Sequence, residues 1–102
     1  PADSGYRVFR PDLIDWIESS GNQVELTVGE AKYTIRATLR ETLLRLGSRF
    51  RQVHRRYAVN VVRIASIHPN GDGAWMVHLT DGTELPLGRT YRRHLFAALT
   101  QL

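Results

Sequence analysis

Three stretches of this chain alternate apolar and polar residues with a period of two, and turn-forming residues close each of them. Gln23–Val28 sets Val24, Leu26 and Val28 on one face; Lys32–Ala37 does the same with Tyr33, Ile35 and Ala37, and Trp75–Leu79 with Trp75, Val77 and Leu79. Successive side chains of a strand point to opposite faces, so this pattern buries one face of a β-sheet and would scatter around a helix. The punctuation agrees. Leu13–Glu18, apolar and rich in strand formers, ends at the turn composition Ser19-Ser20-Gly21-Asn22, and Gly29-Glu30 separates the next two runs. Asp81-Gly82 is the strongest turn signal and predicts a type I′ hairpin. Glu84–Leu87 is the return strand, and Pro86, which has no N–H to donate, marks it as an edge. Short strands at this spacing predict antiparallel structure.

Two segments follow a helical period. Thr38-Leu39-Arg40-Glu41 has the form of a capping box, Leu39, Leu43 and Leu46 recur on one face, and Gly47 suits the position after the last turn. Thr90 is expected to cap a final helix whose stripe is Tyr91, Leu95, Ala98, Leu99 and Leu102. The fold class is therefore α+β, mostly β, with one core helix and a C-terminal helix. A length of 102 residues fits one domain. Residues 1–9 read as a linker remnant and 10–102 as the domain. Pro1 stands where a start Met would, so the chain is expected to be an excised or processed piece.

Most enzyme chemistry lacks its residues. The chain has no Cys, which removes disulfides, Cys-based zinc sites and thiol nucleophiles. There is no Gly-rich phosphate loop, no Gly-x-Ser-x-Gly elbow and no His-Glu-x-x-His helix. His54, His68, His78 and His94 form no pair at ligand spacing, and the carboxylate pairs Asp12/Asp15 and Asp81/Glu84 fit turns and strand ends. The expectation is no enzyme activity, no catalytic residue, no metal and no cofactor. No apolar run approaches the roughly 18 residues of a membrane span, and no signal peptide opens the chain. No membrane contact and a cytoplasmic location are expected.

Charge is where the sequence is unusual. The total is only +4, but it is unevenly spread. Residues 1–35 carry Arg7, Arg10 and Lys32 against six acids, a net of −3. Residues 36–68 carry eight Arg against Glu41 alone, a net of +7, and residues 69–102 balance. Thirteen of the 14 cationic residues are Arg, whose planar fork matches phosphates and guanine edges. A basic segment with almost no acidic partners suits either a solvated face or a polyanion.

Three clusters follow from this. In Arg49–Tyr57, Phe50, Val53 and Tyr57 are spaced as anchors, which leaves Arg51, His54, Arg55 and Arg56 to project. In Gly88–Arg93, three arginines lie at a helix start, where cations oppose the helix dipole and so serve something other than stability. Ser19–Asn22 is a small polar loop.

These residues, in this order, resemble the LytTR domain, the DNA-binding output module of the LytR/AlgR class of bacterial response regulators. Ile14–Asn22 looks like its opening strand and first loop, and Thr38–Leu46 like its core helix. Phe50-Arg51-Gln52-Val53-His54-Arg55-Arg56-Tyr57-Ala58-Val59-Asn60 is similar to its most diagnostic segment, and Thr80–Arg89 to its closing hairpin. The likeness covers about residues 10–100. It implies an elongated antiparallel β-β-β arrangement whose loops enter successive major grooves, often at paired direct repeats. The implied base contacts are Arg55, Arg89 and Asn22; the implied backbone contacts are Arg49, Arg51, Arg56, Arg92 and His54. His54, Tyr57 and Asn60 would help to position the loop. Two positions depart from the pattern. Arg56 stands where Ser is usual and adds a candidate phosphate contact, and Gly88 replaces the Ser that commonly precedes the arginine.

The expected function is thus a sequence-specific DNA-binding effector domain of a bacterial transcription regulator in a two-component system. Its partners would be double-stranded DNA, a regulatory domain N-terminal to this one, and a second copy on DNA. With about five phosphates neutralised, log affinity should fall against log salt with a slope near −4 to −5. The rival is a small β-rich protein-interaction module that meets an acidic partner through its Arg patch. An RNA-binding domain would want an exposed aromatic pair for base stacking, whereas Tyr33, Tyr57 and Trp75 fall on apolar faces.

Overall fold

Eight strands and two helices are laid out over residues 8–100, the part of the chain that the computed structural model describes. In chain order they are β1 (Trp16–Ser20), β2 (Gln23–Val28), β3 (Ala31–Ile35), α1 (Leu39–Leu46), β4 (Phe50–His54), β5 (Tyr57–Asn60), β6 (Ile64–Pro69), β7 (Trp75–Leu79), β8 (Glu84–Leu87) and α2 (Arg89–Thr100). The strands form a five-stranded sheet in the order β3-β2-β1-β5-β4 and a three-stranded sheet β6-β7-β8, all antiparallel. The molecule measures 51 × 27 × 24 Å, so the elongated, mostly β architecture expected from the sequence is what forms.

Each side of the five-stranded sheet has its own core. Ile14, Ile17, Val24, Leu26, Leu39, Phe50 and Ala58 form one, roofed by α1, with Phe9, Leu43 and Leu46 at its margin. Val53, Val59, Val77, Leu79, Leu85, Leu87 and Leu95 form the other, between β4-β5, the three-stranded sheet and α2. Strand β5 serves both: Ala58 faces the first core, while Tyr57 and Val59 face the second. A strand covered on both faces reads as a continuous apolar run, which is why this segment does not alternate.

The capping box is present in full. Thr38 Oγ1 accepts from Glu41 N at 3.1 Å, and Glu41 Oε1 accepts from Thr38 N at 2.9 Å. Gly47 ends α1 with φ +80°, a conformation that glycine adopts without steric cost.

Several local expectations change. Leu13 lies in a 3-10 turn over Pro11–Leu13 and is 47% exposed, because Pro11 starts that turn ahead of the strand. Ser19 and Ser20 extend β1, and only Gly21-Asn22 form the turn. Strand β3 stops at Ile35, leaving Ala37 outside it. Asp81-Gly82 does make a hairpin, but not of type I′. Only Gly82 has positive φ, Gly82 N donates to Leu79 O at 3.0 Å, and Leu79 N donates to Thr83 O at 2.9 Å. This is the three-residue loop in which a left-handed glycine follows a turn. Helix α2 begins at Arg89, so Thr90 lies inside its first turn and does not cap it. Leu102 of the expected stripe, and residues 1–7 of the expected linker, lie outside the described residues. Phe9 packs edge-on against Tyr33 at 5.1 Å between ring centroids.

Candidate nucleic-acid interface

The diagnostic basic segment is the β4–β5 hairpin, with Arg55 and Arg56 at its two-residue turn. The register shifts between Gln52 and His54, a bulge that re-aims the residues at the tip. Side chains then lock the turn. Gln52 Nε2 donates to the carbonyl oxygens of His54 at 3.1 Å and Arg55 at 3.3 Å. His54 Nδ1 accepts from Arg56 N at 3.1 Å, so a neutral His54 carries its proton on Nε2 and presents a donor outward. Arg55 is exposed, and its guanidinium has no partner among the described residues. The fold therefore spends three side-chain hydrogen bonds on a turn whose tip is a free arginine.

The first loop lies beside it. Strand β1 pairs with β5, Glu18 opposite Tyr57, and Ser19 N donates to Arg56 O at 2.8 Å. The β1–β2 turn is thus carried at the same end of the sheet. Gly21, at φ +65°, leads it and leaves the exposed Asn22 at a negative φ, as in type II′ turns.

The third segment comes from the other sheet. Gly88 N donates to Val53 O at 2.7 Å, which fastens the start of α2 to the bulged end of β4 and sets Arg89 near the Arg55 turn. A Cβ at position 88 would lie 3.1 Å from the Tyr91 ring, so glycine here matches a close approach that serine would crowd. Arg92 stacks over Trp75 at 5.4 Å, and Trp75 in turn meets Phe96 edge-on at 5.8 Å. Arg89 and Arg92 share a shallow hollow with Asp72, Gly73 and Trp75.

Of the residues expected from the sequence, the structure brings Asn22, His54, Arg55, Arg56 and Arg89 to one region, with Arg92 at its flank. Two stand apart. Arg49 is exposed in the 3-10 turn before β4, a full strand length of roughly 20 Å from Arg55. Arg51 is half-buried beside Tyr91, His94 and Leu95 of α2, with its Nε shielded from solvent and without a hydrogen bond. Arg56 is not free either: its Nη2 lies 3.1 Å from Glu18 Oε2. Asn60 is fully buried, with its side-chain amide donating to Ile14 O at 3.0 Å, so it holds β5 to the start of β1.

Sequence reasoning passed over Glu18 and Trp75, whose partners become visible only through strand register. It also left the histidines dispersed, whereas His68 and His78 meet edge-on at 5.1 Å across β6 and β7, with Glu84 3.8 Å from His78. Among the described residues no group of three or more metal-binding side chains forms. No helix among them is long and apolar enough to cross a membrane.

The β1–β2 and β4–β5 turns of the five-stranded sheet and the start of α2 are fixed to one another by backbone hydrogen bonds, and the exposed Arg55 and Arg89 stand on them, in a β-rich domain. The family profile described as the LytTr DNA-binding domain matches residues 4–100. The chain belongs to that family, and it is a DNA-binding domain. Sensory transduction protein LytR of Streptococcus mutans is 32% identical over 102 residues, an alignment covering 97% of this chain and 41% of that protein. The chain thus spans about two-fifths of the length of that relative. Among solved structures, the LytTr DNA-binding domain of a Bacillus cereus protein described as a methyl-accepting/DNA response regulator superimposes with a TM-score of 0.81 at 21% identity. That match covers 94% of this chain and 89% of the other, and it shows the shared fold.

Proposed function

We propose that this domain is the sequence-specific DNA-binding effector of a bacterial transcription regulator of the two-component type, acting in the cytoplasm. The observation that carries the reading is that the β1–β2 turn, the β4–β5 turn and the start of α2 are tied to one another by strand pairing and backbone hydrogen bonds. Arg55 and Arg89 read base edges in the major groove, and Asn22 makes a third base contact. A guanidinium can bind O6 and N7 of guanine together, which is worth roughly 1–3 kcal/mol against the wrong base. Arg51 and Arg92 take phosphates, and the outward Nε2–H of His54 can donate to one. Such contacts set register without reading sequence. Three loops on an elongated body suit successive grooves of one duplex, and two copies on paired direct repeats extend the site. A regulatory domain in the same polypeptide would control the binding.

Selection of bound sites from random duplexes by the 102-residue chain tests this, followed by titration of the selected site and an acidic peptide. Enrichment of a defined site, with preference at one position lost in Arg89→Ala, supports it. Binding of the peptide alone would instead favour a protein-interaction module.

A further inference from the structure

We infer that Glu18 tempers the affinity of the DNA interface: its pairing with Arg56 keeps that guanidinium off the phosphates. Arg55 is left as the acting arginine of the β4–β5 turn. The inference rests on the DNA-binding reading and adds a residue to it.

The two arginines of the turn are neighbours in sequence and opposite in use. The Arg55 side chain has no partner among the described residues. Arg56 folds back onto β1, with Nη2 3.1 Å from Glu18 Oε2 and Nε 3.5 Å from Ser19 O. Strand pairing imposes this, because Glu18 lies opposite Tyr57 and Ser19 N donates to Arg56 O at 2.8 Å. The carboxylate is therefore delivered to Arg56 by the register of β1 on β5.

A second acid reinforces the effect. Glu25 of β2 lies directly opposite Glu18 and is itself paired with Lys32 at 3.7 Å. Beside the β4–β5 turn the surface thus carries two carboxylates against two cations, so a phosphate approaching Arg56 meets little net positive charge. The ion pair is about half exposed on its arginine side and 30% exposed on its glutamate side. Pairs this exposed add little to folding stability, so the main consequence of Glu18 lies in the charge the surface presents. A free guanidinium here would add a phosphate contact that every sequence satisfies equally, strengthening binding to all duplexes alike.

The test compares wild type, Glu18→Thr, Arg56→Ser and the double variant, titrating each against the selected duplex and a scrambled one across a salt series. Threonine keeps the strand propensity of β1. Thermal melts accompany each variant, and Glu18→Gln, which keeps the side-chain length, replaces threonine if β1 is weakened. The expected result is that Glu18→Thr tightens both duplexes roughly three- to tenfold at low salt and steepens the salt slope by about 0.9. Arg56→Ser alone stays within about twofold of wild type, and the double variant returns to the wild-type value. Three results would overturn the inference: no gain in Glu18→Thr, a gain that survives in the double variant, or a large loss in Arg56→Ser alone. Selective wild-type binding with an unchanged Glu18 variant defeats this inference only, whereas a wild type that binds no duplex defeats the DNA-binding reading with it.

Discussion

The side-chain amide of Asn60 donates to the carbonyl oxygen of Ile14 at 3.0 Å, 46 residues away in the chain and fully out of water. Its Oδ1 accepts from Val62 N at 3.4 Å, and its backbone N donates to Asp15 O at 3.0 Å. One residue thus ties the end of β5 to the segment entering β1 and to the 3-10 turn before β6. Those strands bring the Asn22 and Arg55 turns together, so Asn60 positions the interface from well behind it.

Removing that amide should be costly. Asn60→Ala leaves a buried carbonyl without its donor and a small void, a loss of about 2–3 kcal/mol. In a domain of this size that lowers the melting temperature by roughly 10 °C or more. Asn60→Asp keeps the shape but loses the donor and buries a charge, so it should be at least as damaging. Circular dichroism melts of the two variants measure this; a melting point unchanged in both would remove Asn60 from the fold's supports.

Arg55 and Arg51 should separate function from packing. Arg55 is exposed and unpartnered, so Arg55→Ala should leave the melting temperature unchanged while flattening preference at one base position by roughly 1–3 kcal/mol. Arg51 is half-buried in a hollow that Tyr91 and Leu95 also line, so Arg51→Ala should both lower the melting temperature and weaken all duplexes alike. Parallel melts and competition titrations with single-base variants of the selected site read both effects.

What could be read in the sequence was local. The capping box needs only Thr38 and Glu41, three residues apart, and it forms as expected. Strands β2 and β7 announce themselves because Val24 and Leu26, and Val77 and Leu79, are apolar and buried at alternate positions. The misreadings occur where composition stood in for geometry. Leu13 looks like a strand residue but follows Pro11 in a tight turn, and Thr90 looks like a cap although Gly88, two residues earlier, is fixed to Val53 and the helix begins at Arg89. The basic segment itself was visible as a charge cluster. Which of its arginines are free was not visible, since Glu18 meets Arg56 across 38 residues through the register of β1 on β5.

The helix cap carries a pH signature. The Thr38 backbone N–H, then its hydroxyl, hold the Glu41 carboxyl below its ordinary value of 4.5, with a smaller pull from the Arg45 charge. Folding thus lowers this pKa. The stabilisation it provides is complete above the unfolded-state value near 4.5 and is lost as pH falls through the lower folded-state value. Glu41→Gln removes that titration. The stability difference between wild type and Glu41→Gln should therefore be constant near neutrality and shrink below about pH 4.5. Urea unfolding of both proteins across that range checks it, and a difference that grows with acidity would contradict the cap assignment.

Salt dependence distinguishes the phosphate ligands that the fold presents from those the sequence suggests. Counting Arg49, Arg51, Arg56, Arg92 and His54 gives about five contacts and a slope of log affinity against log salt near −4 to −5. Arg49 stands a strand length from the Arg55 turn, Arg56 is held by Glu18, and a neutral His54 donates without adding charge, so the structure leaves two cationic contacts, Arg51 and Arg92. Each neutralised phosphate contributes about −0.9 on duplex DNA, so the wild-type slope should lie near −2. Fluorescence anisotropy from about 50 to 200 mM salt spans enough range to tell the two values apart, because one contact changes affinity about threefold over that interval. A slope of −4 or steeper would place Arg49 and Arg56 on the DNA after all, with the Glu18 pair broken on binding.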